Sequence, residues 1–124
     1  MGVEVKPEIL VIEDNEQNLY LVTFLLEHHG HRVVQARDGR EGMALAQRVK
    51  PVLVLLDIQL PGMDGYAVAR ELRGNPAFDE VPIVAVTSHA MAGDRQEILA
   101  AGWNGTIEKP INPETFMQEV ERHL

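Results

Sequence analysis

The sequence predicts an α/β domain in which five parallel strands alternate with five helices, a doubly wound (βα)5 architecture. Short aliphatic segments recur along the chain, and the most apolar of them, Val52 to Leu56, has no polar residue on either face. Such a strand needs helices on both sides, as in a parallel sheet. Between these segments lie stretches of helical length whose apolar residues recur every three or four positions. Five pairs of this kind fit the chain.

The first half of the chain contains two strand and helix pairs. Strand one is predicted over Glu8 to Glu13, and Asn15 can cap the helix that follows. Strand two is predicted over Arg32 to Ala36, with Asp38 as the cap of helix two. The residues expected to face inward are Leu19, Val22 and Leu26 in helix one, and Gly42, Leu45, Ala46 and Val49 in helix two. Gly30 and Lys50-Pro51 are expected to end these helices.

The second half continues the alternation after strand three, which ends at Asp57. Asp64-Gly65 leads into a short third helix, and strand four is predicted over Val81 to Thr87. A fourth helix over Met91 to Ala101 precedes a short strand five over Gly105 to Lys109. The last helix is expected to be capped by Asn112, with Pro113 in its first turn. The residues expected to face inward are Val68 and Leu72 in helix three, and Phe116, Val120 and Leu124 in the last helix.

Length and charge limit the functions that this chain can have. A chain of 124 residues is expected to form one domain, over residues 1–124, with no output domain attached. Its formal net charge of −8 argues against direct binding to nucleic acid or to anionic lipid. The sequence has no cysteine, and we see neither a signal peptide nor a membrane span. We therefore expect a cytoplasmic protein, monomeric or weakly dimeric, whose partners bring cations or a metal.

Polar residues stand where four of the five strands end. Glu13 and Asp14 follow strand one, Asp57 ends strand three, Thr87 ends strand four and Lys109 ends strand five. Because parallel strands present their carboxyl ends on one rim, these side chains are expected to meet there. Three carboxylates so close would repel each other, and at least one would stay protonated unless a cation were bound. Carboxylate oxygens with room for water suit Mg²⁺ best.

These groups match the requirements of phosphoryl transfer, in which catalysis consists mostly of positioning and neutralising charge. Asp57 is the natural nucleophile and would form an acyl phosphate. Lys109 contributes a positive charge, and the hydroxyl of Thr87 can donate a hydrogen bond to an anion.

Taken together, four segments resemble the receiver domain of two-component response regulators. They are Glu13-Asp14-Asn15, Asp57-Ile-Gln-Leu-Pro-Gly-Met-Asp-Gly65, Val86-Thr-Ser88 and Lys109-Pro-Ile111. The resemblance covers essentially the whole chain and implies a flavodoxin-like sheet with strand order 2-1-3-4-5. It also implies a cis peptide between Lys109 and Pro110.

The resemblance implies a role for each site residue. A histidine kinase or histidine phosphotransfer protein would donate a phosphoryl group to Asp57. Asp14 and Asp57 would bind Mg²⁺ directly, with the backbone carbonyl of Gln59 as a third ligand and Glu13 acting through water. Thr87 and Lys109 would bind the phosphoryl oxygens. Such a domain is a signalling phosphoacceptor rather than an enzyme with a turnover of its own, although it assists its own phosphorylation and dephosphorylation.

Two further segments, Val11 to Asn18 and Ala90 to Asp94, resemble single-domain regulators of the DivK type and receivers attached to hybrid kinases. Output would then be a change of protein partner or onward phosphotransfer. The donor is expected to dock on helix one and the loop after strand five. The expected contacts are Gln17, Asn18, Leu21, Ile111 and Asn112.

Three other classes of protein share part of this pattern but fit it less well than a receiver. A haloacid-dehalogenase-type phosphatase needs a second Asp two residues after its nucleophile, and that position is Gln59. A flavodoxin-type FMN binder would place phosphate after strand one, where Glu13 and Asp14 would repel it. A pseudo-receiver would bind partners without phosphorylation, but all five site residues are present.

Histidines and methionines have simpler interpretations. His28, His29 and His31 are adjacent or nearly so, and residues so placed point to different faces of a helix rather than converging on a metal. Met91 and Met117 are expected to be packing residues. His89, like Gln59, stands two positions after a site residue, where receivers tune the lifetime of the phosphoryl group.

The switch of this chain is expected to be unusual. Receivers commonly carry Tyr or Phe three residues before the site lysine, but this chain has Thr106 there. Its short β-branched side chain cannot fill the pocket of a ring, so coupling would pass through the segment from Thr87 to Met91 and helix four. Trp103 is expected to pack or to anchor a partner from an exposed position, rather than to act as a relocated switch.

Overall fold

The computed structural model describes residues 7–88 and 92–124, and for residues 92–94 it describes only the backbone. Within these residues five strands alternate with five helices. The strands are β1 (Glu8–Ile12), β2 (Arg32–Ala36), β3 (Leu53–Asp57), β4 (Ile83–Thr87) and β5 (Gly105–Glu108). The helices are α1 (Glu16–His28), α2 (Gly39–Val49), α3 (Gly65–Arg73), α4 (Ala92–Ala100) and α5 (Phe116–Glu121). A short 3-10 turn at Pro76–Phe78 lies between α3 and β4.

All five strands are parallel and lie in the order β2-β1-β3-β4-β5, as predicted. The central strand β3 is buried along its whole length, which explains why it has no polar face. Strand β1 is paired on both sides, with Ile12 beside Ala36 of β2 and Leu56 of β3. The carboxyl ends of the strands therefore share one rim of the sheet.

Helices cover both faces of the sheet because successive side chains of each strand point to opposite faces. One core contains Ile9 and Val11 of β1 and is closed by apolar residues of α1 and α5. The other core contains Leu10 and Ile12 of the same strand and is closed by α2, α3 and α4. This distribution is the doubly wound arrangement that the aliphatic strands require.

Capping side chains start the first three helices where the sequence places them. Asn15 accepts a hydrogen bond from the Asn18 amide at 2.9 Å and starts α1. Asp38 starts α2, and Asp64 starts α3 by accepting from the Ala67 amide at 2.9 Å. Each side chain satisfies one amide that the helix itself leaves without a partner.

The carboxyl-terminal helix is shorter than its apolar pattern predicts. Asn112 accepts a hydrogen bond from the Glu114 amide at 3.0 Å, so it caps a turn that precedes α5 rather than α5 itself. Phe116 and Val120 are fully buried as expected. Leu124, however, lies beyond the end of the helix and is 52% exposed. Its assignment to the core was wrong because the helical period does not continue to that residue.

The loop between α4 and β5 is fastened to α3 by one side chain. Arg73 donates to the carbonyl oxygen of Gly102 at 2.8 Å, to that of Phe78 at 2.7 Å and to Oδ1 of Asn104 at 2.6 Å. Trp103 lies in this loop, is only 3% exposed and makes an edge contact with Tyr66 of α3. The expectation of packing is confirmed, whereas the expectation of an exposed anchor was wrong.

Candidate functional site

The predicted polar residues are collected at the carboxyl rim of the sheet. The pairing register places Asp57 beside Val86, and Thr87 beside Glu108, the residue before Lys109. Glu13, Asp57 and Thr87 are buried, whereas Asp14 is exposed. Residues distant in sequence therefore border one small region.

Lys109 links the two buried acids of this region. Its Nζ atom lies 2.8 Å from Oε1 of Glu13 and 3.1 Å from Oδ2 of Asp57. The backbone amide of Lys109 donates to the carbonyl oxygen of Thr87 at 2.9 Å, which holds the residue against β4. The peptide bond between Lys109 and Pro110 is cis, as predicted. The ammonium therefore contacts both carboxyl groups at once.

The three carboxylates lie close enough to share a cation. Carboxylate oxygens of Glu13, Asp14 and Asp57 all lie within 4.8 Å of one another. These are hard oxygen ligands, and the exposed Asp14 leaves one side of the group open to water. An acidic group with one exposed member is suited to Mg²⁺, which retains several water ligands.

Burial in this group makes Glu13 a weak acid. Desolvation is the largest influence and, with the nearby charge of Asp57, raises the pKa of Glu13 from 4.5 to about 7 despite the opposing hydrogen bond from Lys109. The expectation that one carboxyl would hold a proton is thus supported, with burial a larger cause than repulsion. Burial alone would lower the pKa of Lys109, but the hydrogen bonds and charges of Glu13 and Asp57 together outweigh burial, so the net pKa is raised. Lys109 remains a cation at neutral pH.

Backbone groups fix the orientation of the two buried acids. The amide of Gln59 donates to Oδ1 of Asp57 at 3.0 Å, leaving Oδ2 to Lys109. The amide of Asn15 donates to Oε2 of Glu13 at 3.2 Å, while Oε1 faces Lys109. Each carboxylate is thus held through both of its oxygens.

The regions predicted to tune or transmit the signal are placed only in part. His89 and Met91 lie outside the described residues. Thr106 is half-buried and lies beside Ala85 of β4. Trp103 is enclosed by the loop described above, so a passive packing role agrees with its burial. How the switch operates stays a prediction.

The predicted docking surface is less exposed than expected, and an adjacent surface was missed. Ile111 is buried, and Leu21 is half-buried against the core. The outermost side of α1 instead carries Tyr20 and Phe24, which are 72% and 53% exposed. Their rings stack 6.4 Å apart, and the Phe24 ring lies 5.9 Å from that of His28. The i, i+4, i+8 spacing of these rings could have identified this aromatic ladder from sequence.

The sequence predicts neither a histidine metal site nor a membrane-spanning helix. Within the described residues, Glu13, Asp14 and Asp57 form a group of three potential metal ligands. The histidines at positions 28, 29 and 31 belong to no such group there. Nor does any helix in residues 7–88 and 92–124 have the length and apolar character needed to cross a bilayer.

A sequence model described as the response regulator receiver domain matches residues 9–121. The chain belongs to this receiver family. It is 35% identical over 116 residues to the polar-differentiation response regulator DivK of Brucella anthropi, covering 94% of each chain.

Solved receivers agree with this assignment. The chemotaxis response regulator CheY4 of Vibrio cholerae superposes with a TM-score of 0.91 at 29% identity, over 97% of this chain and all of that one. The receiver domain of a Pseudomonas aeruginosa sensor histidine kinase superposes with a TM-score of 0.85 at 35% identity, over 95% of this chain and 97% of the other. That structure is described as having magnesium coordinated in its active-site cleft. The receiver family and the predicted flavodoxin-like fold are thereby confirmed.

Proposed function

We propose that this receiver accepts a phosphoryl group on Asp57 from a phosphohistidine and signals through the resulting change in protein contacts. The observation that carries the proposal is the setting of the Asp57 carboxylate. It is buried at the end of β3, hydrogen-bonded at Oδ1, paired with Lys109 at Oδ2 and close to the carboxylates of Glu13 and Asp14. A buried carboxylate that contacts an ammonium and belongs to a candidate metal-binding group has the surroundings that phosphoryl transfer requires.

In the proposed reaction, a carboxylate oxygen of Asp57 attacks the phosphorus atom. The P–N bond of the phosphohistidine breaks as the new O–P bond forms, and its electron pair stays on the imidazole nitrogen of the donor. The Lys109 ammonium, which lies 3.1 Å from Oδ2 of Asp57, would then contact the oxygens of the transferred phosphoryl group. The Thr87 hydroxyl, at the adjacent strand end, would donate a hydrogen bond to the same group.

The candidate metal group supports a requirement for Mg²⁺. Asp14 and Asp57 would hold the ion directly, Glu13 would act through water, and the Gln59 carbonyl would be a further ligand. Bound there, the ion offsets negative charge on the phosphoryl oxygens. The magnesium described for the Pseudomonas aeruginosa receiver supports the same use of this group.

A histidine kinase or histidine phosphotransfer protein is the proposed donor. We expect it to contact the outer side of α1 and the loop after β5, including Gln17, Asn18 and Asn112. The ladder formed by Tyr20 and Phe24 extends this surface with exposed aromatic area, the kind of side chain that often dominates binding energy.

Incubation with acetyl phosphate tests the acceptor without any protein donor. Intact mass should increase by one phosphoryl group when Mg²⁺ is present, and should stay unchanged with EDTA. The Asp57→Asn variant should not be labelled, whereas Asp79→Asn, which removes an exposed acid elsewhere, should be labelled like the parent. Labelling of Asp57→Asn at the parental rate would contradict the proposal.

A further inference from the structure

Gly65, the first residue of α3, has no room for a side chain. A Cβ atom built on Gly65 would lie 2.7 Å from Cα of Ile58 and closer still to the carbonyl oxygen of Asp57. Ordinary van der Waals contact begins at 3.4 Å. Both obstructing atoms belong to the backbone, so no rotation of a side chain could relieve the overlap.

Backbone conformation does not explain the glycine. In the described residues the glycines with left-handed φ are Gly30, Gly62 and Gly102, and Gly65 is not among them. Any residue could therefore adopt the φ of Gly65. What requires glycine is the close approach of α3 to the end of β3.

This approach fixes the segment that carries the acceptor. The Gly65 amide donates to the carbonyl oxygen of Ile58 at 2.8 Å, so the start of α3 holds the backbone directly after Asp57. On the other side of the same segment, the Gln59 amide holds Oδ1 of Asp57. Residues 57–59 are thus held by a hydrogen bond from the start of α3 and by a hydrogen bond within their own turn.

We propose that Gly65 is a positioning residue for the phosphoryl acceptor. Its missing side chain lets α3 lie against the backbone of Asp57 and Ile58 and sets the place of the Asp57 carboxylate and the Gln59 carbonyl relative to Glu13 and Asp14. The inference rests on the proposed function, because it assigns Gly65 to that same site.

The expected displacement of the Ile58 backbone is large compared with the tolerance of a metal site. Restoring ordinary contact would move Cα of Ile58 from 2.7 Å to at least 3.4 Å from the new methyl group. Metal ligands must lie within about 0.2 Å of their ideal distances. A shift larger than that tolerance, in a segment that supplies two of the proposed ligands, should weaken the binding of Mg²⁺.

The test compares three glycine-to-alanine variants by titration with Mg²⁺ alone. Gly65→Ala carries the overlap. Gly74→Ala, at the other end of α3, has only ordinary contacts and a right-handed conformation. Gly62→Ala lies in the same loop as Gly65 and has a left-handed φ of 75°, but its Cβ meets nothing within 4 Å. Amide chemical shifts report the dissociation constant and the folded state in one experiment.

Gly65→Ala should remain folded and bind Mg²⁺ about 10- to 100-fold more weakly, the range seen when groups that orient metal ligands are changed. Its labelling by acetyl phosphate at a fixed Mg²⁺ concentration should fall with it. Gly74→Ala should match the parent. Gly62→Ala should unfold more easily but, once folded, should bind Mg²⁺ like the parent. Parental affinity in Gly65→Ala, or equal weakening in Gly62→Ala, would overturn the inference.

A second pair of variants covers the case in which Gly65→Ala fails to fold. Asp64→Ala removes the cap that anchors the start of α3, whereas Asp64→Asn removes the same charge and keeps a capping oxygen. Weaker Mg²⁺ binding in Asp64→Ala alone supports the inference, and equal binding in both variants overturns it. If the parent protein bound Mg²⁺ but was never labelled at Asp57, the proposed function would fail while the role of Gly65 in metal binding could still be measured.

Discussion

Replacing Glu13 with Gln should change how the stability of the metal-free protein depends on pH. The glutamine keeps the shape of a side chain that is only 3% exposed but cannot become charged. In the parent, folding raises the pKa of Glu13 from 4.5 to about 7, chiefly through burial. The folded state therefore holds this proton more tightly than the unfolded state.

The sign and size of the effect follow from that difference. Stabilisation from the bound proton is complete below pH 4.5 and is lost as the pH rises through about 7. At about 1.4 kcal/mol per pKa unit, the rise amounts to about 3 kcal/mol. Lys109 stays charged throughout this range because its pKa is raised from an already high value. Relative to Glu13→Gln, the parent should thus lose about 3 kcal/mol between pH 4.5 and pH 8.

Urea unfolding in EDTA, followed by the fluorescence of the buried Trp103, measures this difference. The interaction with Lys109 needs no separate correction, because its effect is already included in the raised pKa of Glu13. Glu71→Gln, at an exposed position of α3, controls for the removal of one negative charge from a chain of net charge −8. If the free energies of unfolding of parent and Glu13→Gln differ equally at both pH values, our account of the buried acid is wrong.

Three further outcomes are expected. Arg73→Ala should lower the free energy of unfolding by about 2 to 4 kcal/mol, because it removes three hydrogen bonds of a half-buried guanidinium. Arg70→Ala, at an exposed position of the same helix, should change the same urea midpoint little. Mg²⁺ at 100 times its dissociation constant should raise the free energy of unfolding by about 2.7 kcal/mol. At the same Mg²⁺ concentration, this gain should be smaller in Asp57→Asn. An equal gain in the variant would show that the ion binds elsewhere. Replacing Tyr20 and Phe24 with Ser should slow transfer from the kinase but not labelling by acetyl phosphate, and equal slowing of both would indicate a folding defect.

Much of the site could be predicted from sequence because each strand end is marked locally. An aliphatic run followed at once by an acid, as at Ile12-Glu13 and Leu56-Asp57, gives both the element and its polar terminus. Parallel pairing then brings such termini together without any further information. The capping side chains of Asn15 and Asp38 are local signals of the same kind.

Features that depend on tertiary contacts could not be predicted in this way. The burial of Trp103 follows from the fastening of its loop by Arg73, a residue thirty positions away. The exposure of Leu124 follows from the early end of α5 at Glu121, because periodicity gives the spacing of a face but not its last residue. The bridge from Lys109 to Glu13 depends on the reach of two long side chains across the rim.

The identity of the acceptor residue is the central claim, and reduction of the acyl phosphate tests it most directly. After labelling with acetyl phosphate and Mg²⁺, borohydride cleaves an aspartyl phosphate and converts that residue to homoserine. Tandem mass spectrometry of the digested protein should then find homoserine at position 57 and nowhere else. Homoserine at Asp14, or a labelled protein in which Asp57 is unchanged, would contradict the account.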